Sequence, residues 1–288
     1  MIDLHTHTNE SDGSFSPALL VELAEKMNLS AVAITDHDTV SGVSEAIDAA
    51  TGITTVVPGI EFSANQTGCV DCNCDLSVHI VGLFIDHTHS AILKAADTVL
   101  KMRRDRNLRM LKKLEELNMP LSIDELQKEA GGDGKIAGRV HFANLLVKKG
   151  YVKNRDTVFS KYIGNRGMAI VPKERLSFKK VIEAITDSGG VAILAHPHAY
   201  NLKDARLRVL LKELVDYGLQ GIECFYSGYH QNQIVKYSRF ARDFGLVRSG
   251  GSDFHGLYKP NISLGTGIGS LYIDDCLLDP IRNLARLP

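Results

Sequence analysis

Short runs of consecutive apolar, often β-branched residues recur along the chain, and segments with the apolar spacing of amphipathic helices separate them. Runs that are apolar at nearly every position are typical of strands covered on both faces, as in a parallel sheet of βαβ units. The pattern therefore predicts an α/β fold. The predicted strands are Ile2–His5, Ala31–Thr35, Thr54–Glu61, Ser77–Phe84, Val191–Ala195, Gly221–Cys224 and Leu246–Ser249.

Residues that favour the starts and ends of helices lie between these strands. Ser16 followed by Pro17 is typical of a helix start and predicts a helix over Ala18–Met27. A serine is also predicted to cap the helix Phe178–Thr186. The predicted caps are Ser16, Ser41 and Ser177, and the glycines predicted to lie at helix ends are Gly218 and Gly245.

The alternation of strands and helices stops between about His89 and Pro172. This stretch is charged and has helical periodicity, with predicted helices at Ala91–Leu117, Ile123–Glu129, Arg139–Lys149 and Asp156–Ile163. Because strands flank it on both sides, we predict an inserted helical cap at residues 89–171. The remaining residues, 1–88 and 172–288, would form one discontinuous domain.

Composition narrows the classes of function. Lys+Arg (33) and Asp+Glu (34) nearly cancel, for a formal net charge of -1, so no global positive field favours long nucleic acids. The chain begins directly with a predicted strand, and no apolar run approaches the roughly 18 residues that a membrane helix needs. We expect a cytoplasmic protein with no membrane association and no obligate protein partner.

The five cysteines do not suggest a disulfide framework, because their number is odd and the chain is long. Cys69, Cys72 and Cys74 resemble half of a zinc site, for which His79 is the nearest fourth ligand. The favoured interpretation is that these three are reduced thiols in a surface loop and that His79 belongs to a different site.

Histidines and carboxylates gather where the predicted strands end. His5 and His7 follow the first strand, and the segment Asp36-His37-Asp38 follows the second. Glu61 ends the third strand, His196 follows the fifth, and Asp253 and His255 follow the seventh, whereas His79 lies within the fourth. Because the carboxyl ends of the strands of an α/β barrel form one face, we expect these side chains to converge.

Imidazoles and carboxylates without thiolates suit hard to borderline divalent metals. The pairs His5/His7 and Asp253/His255 each lie two residues apart, so both members face the same side of an extended segment. The candidate ligands are His5, His7, Asp12, His37, Glu61, His79, His196, Asp253 and His255. They are too many for one tetrahedral ion and predict two or three metals. The other histidines, His87, His89, His141 and His198, are expected to be ordinary residues, with a reservation for His141.

The charge of such a centre favours a phosphate ester. Three dications would bring +6, and Asp12, Glu61 and Asp253 would supply -3, which leaves about +3. Metals roughly 3.5–4 Å apart can hold a bridging hydroxide and stabilise a leaving oxygen. Gly250-Gly251-Ser252-Asp253 lacks the Lys-Ser/Thr of a P-loop, so we interpret its glycines as tight geometry at a strand end.

The ordered set of motifs resembles the PHP superfamily, named for polymerase and histidinol phosphatase. The matching segments run from the first predicted strand to the last. They are Asp3-Leu4-His5-Thr6-His7, Ser11-Asp12-Gly13, Thr35-Asp36-His37-Asp38, Gly59-Ile60-Glu61, His79-Ile80-Val81-Gly82, Ala195-His196-Pro197 and Gly251-Ser252-Asp253-Phe254-His255.

The resemblance implies a distorted seven-stranded (β/α) barrel with a trinuclear metal site, in which Mn²⁺ is expected first and Fe²⁺ or Zn²⁺ are alternatives. It assigns His5, His7, Glu61 and Asp253 to one metal, Glu61, His79 and His196 to a second, and Asp12, His37 and His255 to a third. Many relatives have histidine where this chain has Asp12. A carboxylate there lowers the net charge and could change which metal is bound.

The insertion resembles that of the PHP subfamily of AMP and nucleoside 3′,5′-bisphosphate phosphatases, some of which degrade short RNA from its 5′ end. Arg103 and Arg106 share a helix face, and Arg139 and His141 lie in Gly138-Arg139-Val140-His141-Phe142. In that subfamily, arginines at such positions hold the 5′-phosphate while the metals attack the 3′-phosphate. The alternative interpretation of Arg103 and Arg106 is a solvated charged face.

The resemblance leads us to expect a phosphoric monoester hydrolase that removes the 3′-phosphate of a nucleoside 3′,5′-bisphosphate with a metal-bridging hydroxide. Asp36 or Asp38 could orient ligand imidazoles or assist proton transfer, and His198 and Tyr200 are weaker candidates for lining the pocket. Exoribonuclease activity on short RNA, histidinol-phosphate phosphatase activity and a non-catalytic metal-binding module are the alternatives.

Overall fold

A sheet of eight strands forms the centre of the protein in the computed structural model, which describes residues 1–65, 76–132, 137–164 and 166–286. The strands are β1 (Ile2–Asp3), β2 (Ala31–Ile34), β3 (Thr55–Asn65), β4 (Ser77–Leu83), β5 (Leu176–Ser177), β6 (Val191–Leu194), β7 (Gly221–Tyr226) and β8 (Val247–Gly251). Their order is β1-β2-β3-β4-β6-β7-β8, and the short β5, which the sequence pattern missed, pairs with β3.

The sheet curves into a nearly closed barrel. Leu4 N–H donates to the carbonyl of Gly250 at 3.2 Å, and Thr6 and Phe254 form a parallel bridge, so the segments after β8 and β1 meet. Most neighbouring strands are parallel, as predicted. The predicted (β/α)7 barrel is confirmed.

Strand β4 departs from the predicted parallel arrangement, because it runs antiparallel to both β3 and β6. Only residues 66–76 separate β3 from β4, too few for the helical crossover that parallel neighbours need. Its reversed direction brings the first half of β4, rather than its carboxyl end, to the edge where β3 and β6 carry Glu61 and His196.

Helices cover the outer face of the barrel. They are α1 (Pro17–Lys26), α2 (Val43–Ala49), α3 (Ser90–Glu116), α7 (Phe178–Asp187), α8 (Asp204–Asp216), α9 (Gln231–Asp243) and α10 (Leu278–Arg282), and α3 continues into the insertion. Ser16 and Ser177 cap α1 and α7 as predicted, accepting from Leu19 N–H at 3.2 Å and Lys180 N–H at 3.4 Å. Gly218 and Gly245 follow helix ends with positive φ, also as predicted.

The predicted cap at Ser41 is wrong. Helix α2 begins at Val43, its N-cap is Gly42, and no side chain caps it. The hydroxyl of Ser41 instead lies 2.5 Å from Thr39 Oγ1, in the turn before the helix.

The chain divides into two compact units, residues 1–96 with 176–288, and residues 97–175. The second unit holds most of α3, then α4 (Ile123–Glu129), α5 (Arg139–Lys148), α6 (Arg155–Thr157) and a π-helix (Val158–Ile163) where one α-helix was predicted. It has its own apolar core, which includes Met110, Leu114 and Phe142. The predicted division at residues 89 and 171 as functional domains stays a prediction.

The first unit has apolar cores on both faces of its sheet, one around Ile2, Leu83 and Ile193 and another around Leu20, Ile34 and Val43. Within the described ranges, no helix combines the length and apolar character that crossing a membrane requires. The cysteines Cys69, Cys72 and Cys74 lie outside the described residues, so the interpretation of their segment stays a prediction.

Candidate metal centre

All nine predicted ligands converge at one edge of the barrel. They lie just after β1 and β2, within β3 and β4, just after β6 and β8, and in the loop between β1 and α1. His79 takes part although it is the third residue of its strand, because β4 runs antiparallel to its neighbours. The candidate ligands that converge are His5, His7, Asp12, His37, Glu61, His79, His196, Asp253 and His255.

Glu61 lies at the centre of the cluster and is 1% exposed. Its two carboxylate oxygens contact five imidazole rings. Oε1 lies 2.9 Å from His79 Nδ1 and 3.0 Å from His196 Nε2, whereas Oε2 lies 2.9 Å from His37 Nδ1, 3.3 Å from His7 Nε2 and 3.4 Å from His5 Nε2. A carboxylate with this many imidazole neighbours would be a shared ligand if more than one metal were bound.

Asp253 and Asp12 face the same rings from the other side. Asp253 Oδ1 lies 3.2 Å from His7 Nε2, and Asp12 Oδ1 lies 3.2 Å from His255 Nε2. Asp12 Oδ2 is 3.9 Å from His37 Nε2. The side chain of Asp12 is 57% exposed, so it forms the open rim of the cluster.

The donor atoms fit divalent metals. They form four overlapping sets in which the ligand atoms lie within 4.8 Å of one another: His7, Asp12, His37 and His255; His5, Glu61 and His196; His5, His7 and Asp253; and His37, Glu61 and His79. Several of these atoms are buried and make no hydrogen bond to a described residue, among them both ring nitrogens of His7, His5 Nε2 and Glu61 Oε2. Because a buried polar atom needs a partner, these lone pairs are suited to coordination.

The four sets only partly follow the three expected ones. His7 belongs both to the set with Asp12, His37 and His255 and to the set with His5 and Asp253. Glu61 belongs both to the set with His5 and His196 and to the set with His37 and His79. The assignment of each ligand to a particular metal therefore stays a prediction.

Electrostatics keeps the carboxylates ionised. Burial acts to raise the pKa of Glu61, but the positive charges of His37 and His5 outweigh it and hold that pKa well below its ordinary value. Burial likewise acts against the charged form of Asp253, whereas the adjacent His7 imidazole and the charge of His5 lower its pKa. Positive charge is thus strongly favoured at the centre, where a divalent ion can supply it in place of protons.

Three residues at this edge have positive φ without being glycine, namely Asp38 (58°), His196 (25°) and Asp253 (57°). Non-glycine residues rarely adopt this region, and such conformations cluster where the surrounding structure enforces a particular side-chain position. Two of them, His196 and Asp253, are candidate ligands. The unusual backbone conformation therefore occurs where side chains point into the cluster.

Asp36 and Asp38 are both buried beside the cluster. Asp36 accepts hydrogen bonds from Thr8 N–H at 2.8 Å and from the hydroxyl of Ser11 at 2.5 Å, in the loop that carries Asp12. Asp38 accepts from Ser63 N–H at 3.1 Å. Their predicted roles in orienting imidazoles or moving protons stay predictions.

Sequence reasoning missed three residues that contact the ligands. Glu223 lies 2.8 Å from His5 Nδ1, while Tyr226 and Lys259 bind Asp253. Only Glu223 could have been noticed in the sequence, as a carboxylate inside an otherwise apolar strand. A buried charge is rare unless it is paired.

In the second unit, the predicted substrate arginines belong to a larger cluster of cations. Arg106 is 5% exposed; its Nε donates to the carbonyl of Val171 at 3.0 Å, and its buried Nη2 has no hydrogen-bond partner among the described residues. Burial and then the positive charges of Arg139, Arg103 and Arg175 lower its pKa to about 10.

Two further cations lie near these arginines and were not predicted from the sequence. The basic cluster consists of Arg103, Arg106, Arg139, Lys173 and Arg175. Desolvation by the surrounding protein, and then the charges of Arg103, Arg175, Arg139 and Arg106, lower the pKa of Lys173 to about 8. Like charges are gathered at a cost, which is the arrangement expected of a site for a multiply charged anion.

The two histidines proposed to touch substrate have other partners as well. His141 Nδ1 accepts the N–H of Gly138 at 2.9 Å and so caps its own helix, and burial lowers its pKa. The exposed His198 lies 3.0 Å from Gln233 through Nδ1, and Tyr200 donates its hydroxyl to the carbonyl of Ala195 at 2.7 Å. His141 and His198 remain candidates for substrate contact.

Comparison with known proteins agrees with this picture. The PHP domain matches residues 3–114. The chain is 35% identical to a 5′-3′ exoribonuclease of Haemophilus influenzae, over 88% of this chain and 89% of that protein. It is 32% identical to a 3′,5′-nucleoside bisphosphate phosphatase of Chromobacterium violaceum, over 88% and 87% of the respective chains.

Among solved structures, the fold is similar to that of a putative metal-dependent phosphoesterase from Bifidobacterium adolescentis. The TM-score is 0.79 at 30% sequence identity, and the match covers 99% of this chain and 96% of the other. The matched region thus includes residues of both units.

Proposed function

Because this chain belongs to the PHP domain family and is a metal-dependent phosphoesterase, we propose that it hydrolyses a phosphomonoester of a small nucleotide. The substrate that fits best is a nucleoside 3′,5′-bisphosphate, from which loss of the 3′-phosphate gives an AMP-type product. Two of its relatives are named as a 5′-3′ exoribonuclease and a 3′,5′-nucleoside bisphosphate phosphatase, which supports a nucleotide substrate.

We propose that the nine clustered ligands hold two or three divalent ions, with Mn²⁺ first and Fe²⁺ or Zn²⁺ as alternatives. Imidazole nitrogens and carboxylate oxygens suit all three metals, and the four overlapping ligand sets support more than one ion. Bound ions would supply the Lewis acidity that polarises a phosphoryl oxygen and lowers the pKa of water.

The side chains of the protein position the candidate ligands and supply positive charge for binding phosphate. Glu61 fixes five imidazoles around one buried carboxylate, and Asp36 holds the loop that carries Asp12. We propose that the basic cluster of the second unit, with Arg106 as its buried member, binds a phosphate group of the substrate. Guanidinium groups suit this role because their paired N–H groups match phosphate oxygens.

One observation carries the choice of a doubly charged substrate: a buried arginine with an unpartnered Nη2, surrounded by four further cations. A substrate with a single small phosphate, such as histidinol phosphate, has no second anionic group to offer Arg106 Nη2. A bisphosphate or a 5′-phosphorylated RNA end supplies it.

A 5′-to-3′ exoribonuclease activity on short RNA is the second candidate. It is favoured by the 35% identity to the Haemophilus influenzae exoribonuclease, which exceeds the identity to the bisphosphate phosphatase. The near-zero net charge argues against strong binding of long strands. A 5′-phosphate and a scissile 3′ linkage are common to both candidate substrates.

A panel of substrates tests the proposal. Purified protein loaded with Mn²⁺ is assayed against adenosine 3′-phosphate, adenosine 5′-phosphate, adenosine 3′,5′-bisphosphate and a 5′-phosphorylated RNA pentamer. We expect the bisphosphate to be turned over with the highest kcat/KM. Faster cleavage of the pentamer would select the exoribonuclease, and failure to cleave any of the four would refute the nucleotide substrate.

Arg106→Met tests the basic cluster. The substitution keeps an unbranched side chain, shorter than that of arginine, and removes the charge. KM for the bisphosphate should therefore rise about 10-fold or more, the loss expected for a charge-assisted hydrogen bond. Turnover of adenosine 3′-phosphate should change little, since it has no second phosphate.

Arg109→Met is the matched control, because Arg109 lies on the same helix and pairs with Glu174 at the surface. Its kinetics should resemble those of the unmodified protein for both substrates. An equal rise in KM for both variants, or for both substrates, would contradict a role for Arg106 in binding the second phosphate.

A further inference from the structure

Strand β7 carries no predicted metal ligand, yet it places two polar side chains against the ligands of its neighbours. Glu223 is 2% exposed and Tyr226 is partly buried. Residues three apart on a regular strand face opposite sides of the sheet. These two nevertheless both reach the ligand cluster.

An irregularity in the strand explains this. The pairing of β7 with β8 shifts between Glu223 and Phe225: Glu223 pairs with Ser249, and Phe225 pairs with the next residue, Gly250. Cys224 is therefore the extra residue of a β-bulge. A bulge changes the side to which the following residues point, and here it turns Tyr226 toward the face that Glu223 already occupies.

Glu223 joins two candidate ligands from different strands. Its Oε1 lies 2.8 Å from His5 Nδ1, and its Oε2 accepts the backbone N–H of His196, the residue with a φ of 25°. A carboxylate at Nδ1 places the proton there and leaves Nε2 as the coordinating atom. That Nε2 is the His5 atom that faces Glu61 at 3.4 Å and Asp253 at 3.8 Å.

Tyr226 acts on the third ligand. Its hydroxyl donates to Asp253 Oδ2 at 2.7 Å, and Lys259 Nζ donates to the same oxygen at 2.8 Å. Oδ2 is thereby occupied, and Oδ1 is the oxygen directed at His7 Nε2, 3.2 Å away. The contacts select one carboxylate oxygen of Asp253 for the cluster.

We infer that the bulged strand β7 is a positioning element, in which Glu223 and Tyr226 set the metal affinity of the centre by fixing which atoms of His5, His196 and Asp253 face the ions. The inference rests on the proposed use of these residues as metal ligands. It does not depend on the identity of the substrate, so metal binding can test it separately from the nucleotide assay.

Tyr226→Phe is the sharpest test, since it removes one hydroxyl and keeps the ring. Protein stripped of metal is titrated with Mn²⁺ in competition with a fluorescent chelator, which gives the number of ions bound and their dissociation constants. We expect the dissociation constant of at least one ion to rise about 10- to 100-fold, the usual effect of losing a hydrogen bond to a ligand.

Tyr229→Phe is the matched control. Tyr229 packs against Tyr226 with ring centroids 5.3 Å apart, and its hydroxyl accepts the N–H of His198 rather than touching a ligand side chain. This variant should keep the dissociation constants of the unmodified protein. An equal loss of affinity in both variants would mean that any disturbance of the tyrosine cluster weakens metal binding, and would overturn the inference.

Glu223→Gln gives a second test. The amide has one acceptor oxygen and one donor NH₂ group, so it cannot accept from both His5 and His196. We expect fewer ions bound per chain at limiting Mn²⁺, with a matching loss of the electron paramagnetic resonance signal of bound manganese. If this variant fails to fold, Tyr226→Phe decides alone.

Unchanged affinity and stoichiometry in Tyr226→Phe would overturn the inference. The two proposals can fail independently. Weakened Mn²⁺ binding in Tyr226→Phe, together with no nucleotide cleavage by the unmodified protein, would keep the role of β7 and refute the proposed substrate.

Discussion

At the scale of single residues, Asp36 illustrates how a buried carboxylate can serve a site without coordinating a metal. It accepts the N–H of Thr8 at 2.8 Å, the hydroxyl of Thr8 at 2.6 Å and the hydroxyl of Ser11 at 2.5 Å. These residues begin the loop that carries Asp12, whose own side chain is 57% exposed. The position of Asp12 therefore depends on the contacts of Asp36 rather than on burial.

We predict that Asp36→Asn destabilises the protein by about 1–3 kcal/mol, the cost of leaving a buried donor without an acceptor. Urea unfolding in the presence of a chelator measures the change without a contribution from metal. Asp48→Asn, at an exposed position on α2, should cost less than about 0.5 kcal/mol. Equal unfolding midpoints for the two variants would contradict the anchoring role.

At the scale of elements, the glycines of β8 allow the barrel to close around the ligands. A Cβ on Gly251 would lie 2.2 Å from His5 Cβ and 2.5 Å from His5 N, and one on Gly250 would lie 2.4 Å from the carbonyl oxygen of Phe225. The predicted tight geometry at this strand end is confirmed. Absence of a side chain is what lets β8 approach the segment that carries His5.

Gly251→Ala should therefore act on stability and on metal binding together. The added methyl group has to displace the backbone of His5, so we expect a loss of about 1–3 kcal/mol in the free energy of unfolding and weaker Mn²⁺ binding. Unfolding in urea and chelator competition measure the two effects.

Gly138→Ala is the control, because a Cβ there would meet no atom within 4 Å. It replaces a residue at an N-cap, for which we expect a cost of at most about 1 kcal/mol, and it should leave Mn²⁺ affinity unchanged. If Gly251→Ala binds Mn²⁺ as tightly as the control does, the close approach of β8 does not position His5.

At the scale of the whole molecule, the candidate ligands tie together strands from both ends of the chain. His5 follows β1, Glu61 lies in β3, His196 follows β6 and Asp253 follows β8. His5 and His196 contact Glu61 in the structure. A set of ions bound by these residues would stabilise the folded state, because an unfolded chain does not bring the ligands together.

Removal of metal should accordingly lower the melting temperature. At a Mn²⁺ concentration 100 times its dissociation constant, binding at one site adds about 2.7 kcal/mol to the stability of the folded protein. Differential scanning calorimetry with Mn²⁺ and with chelator measures the shift, and Asp253→Ala should show a smaller one. The same melting temperature under both conditions would argue against a structural contribution of the metals.

The sequence by itself determined the features that adjacent residues encode. Apolar runs located seven of the eight described strands, Ser16 and Ser177 marked helix starts, and the histidines and carboxylates at strand ends predicted most of the nine side chains that meet. These features are local: a cap, a strand period and a motif each depend on a few neighbouring residues. Family resemblance then supplied the barrel.

Only the tertiary structure decided which strands run in opposite directions and which distant side chains meet. The antiparallel direction of β4 brings His79 into the cluster from within a strand, and the bulge at Cys224 turns Tyr226 toward Asp253. The folding of the second unit also places Lys173 and Arg175 near Arg103, Arg106 and Arg139. Strand pairing and packing bring together residues that are far apart in sequence, so no local pattern predicts these contacts. The same contacts position the candidate ligands and gather the positive charge on which the proposed function depends.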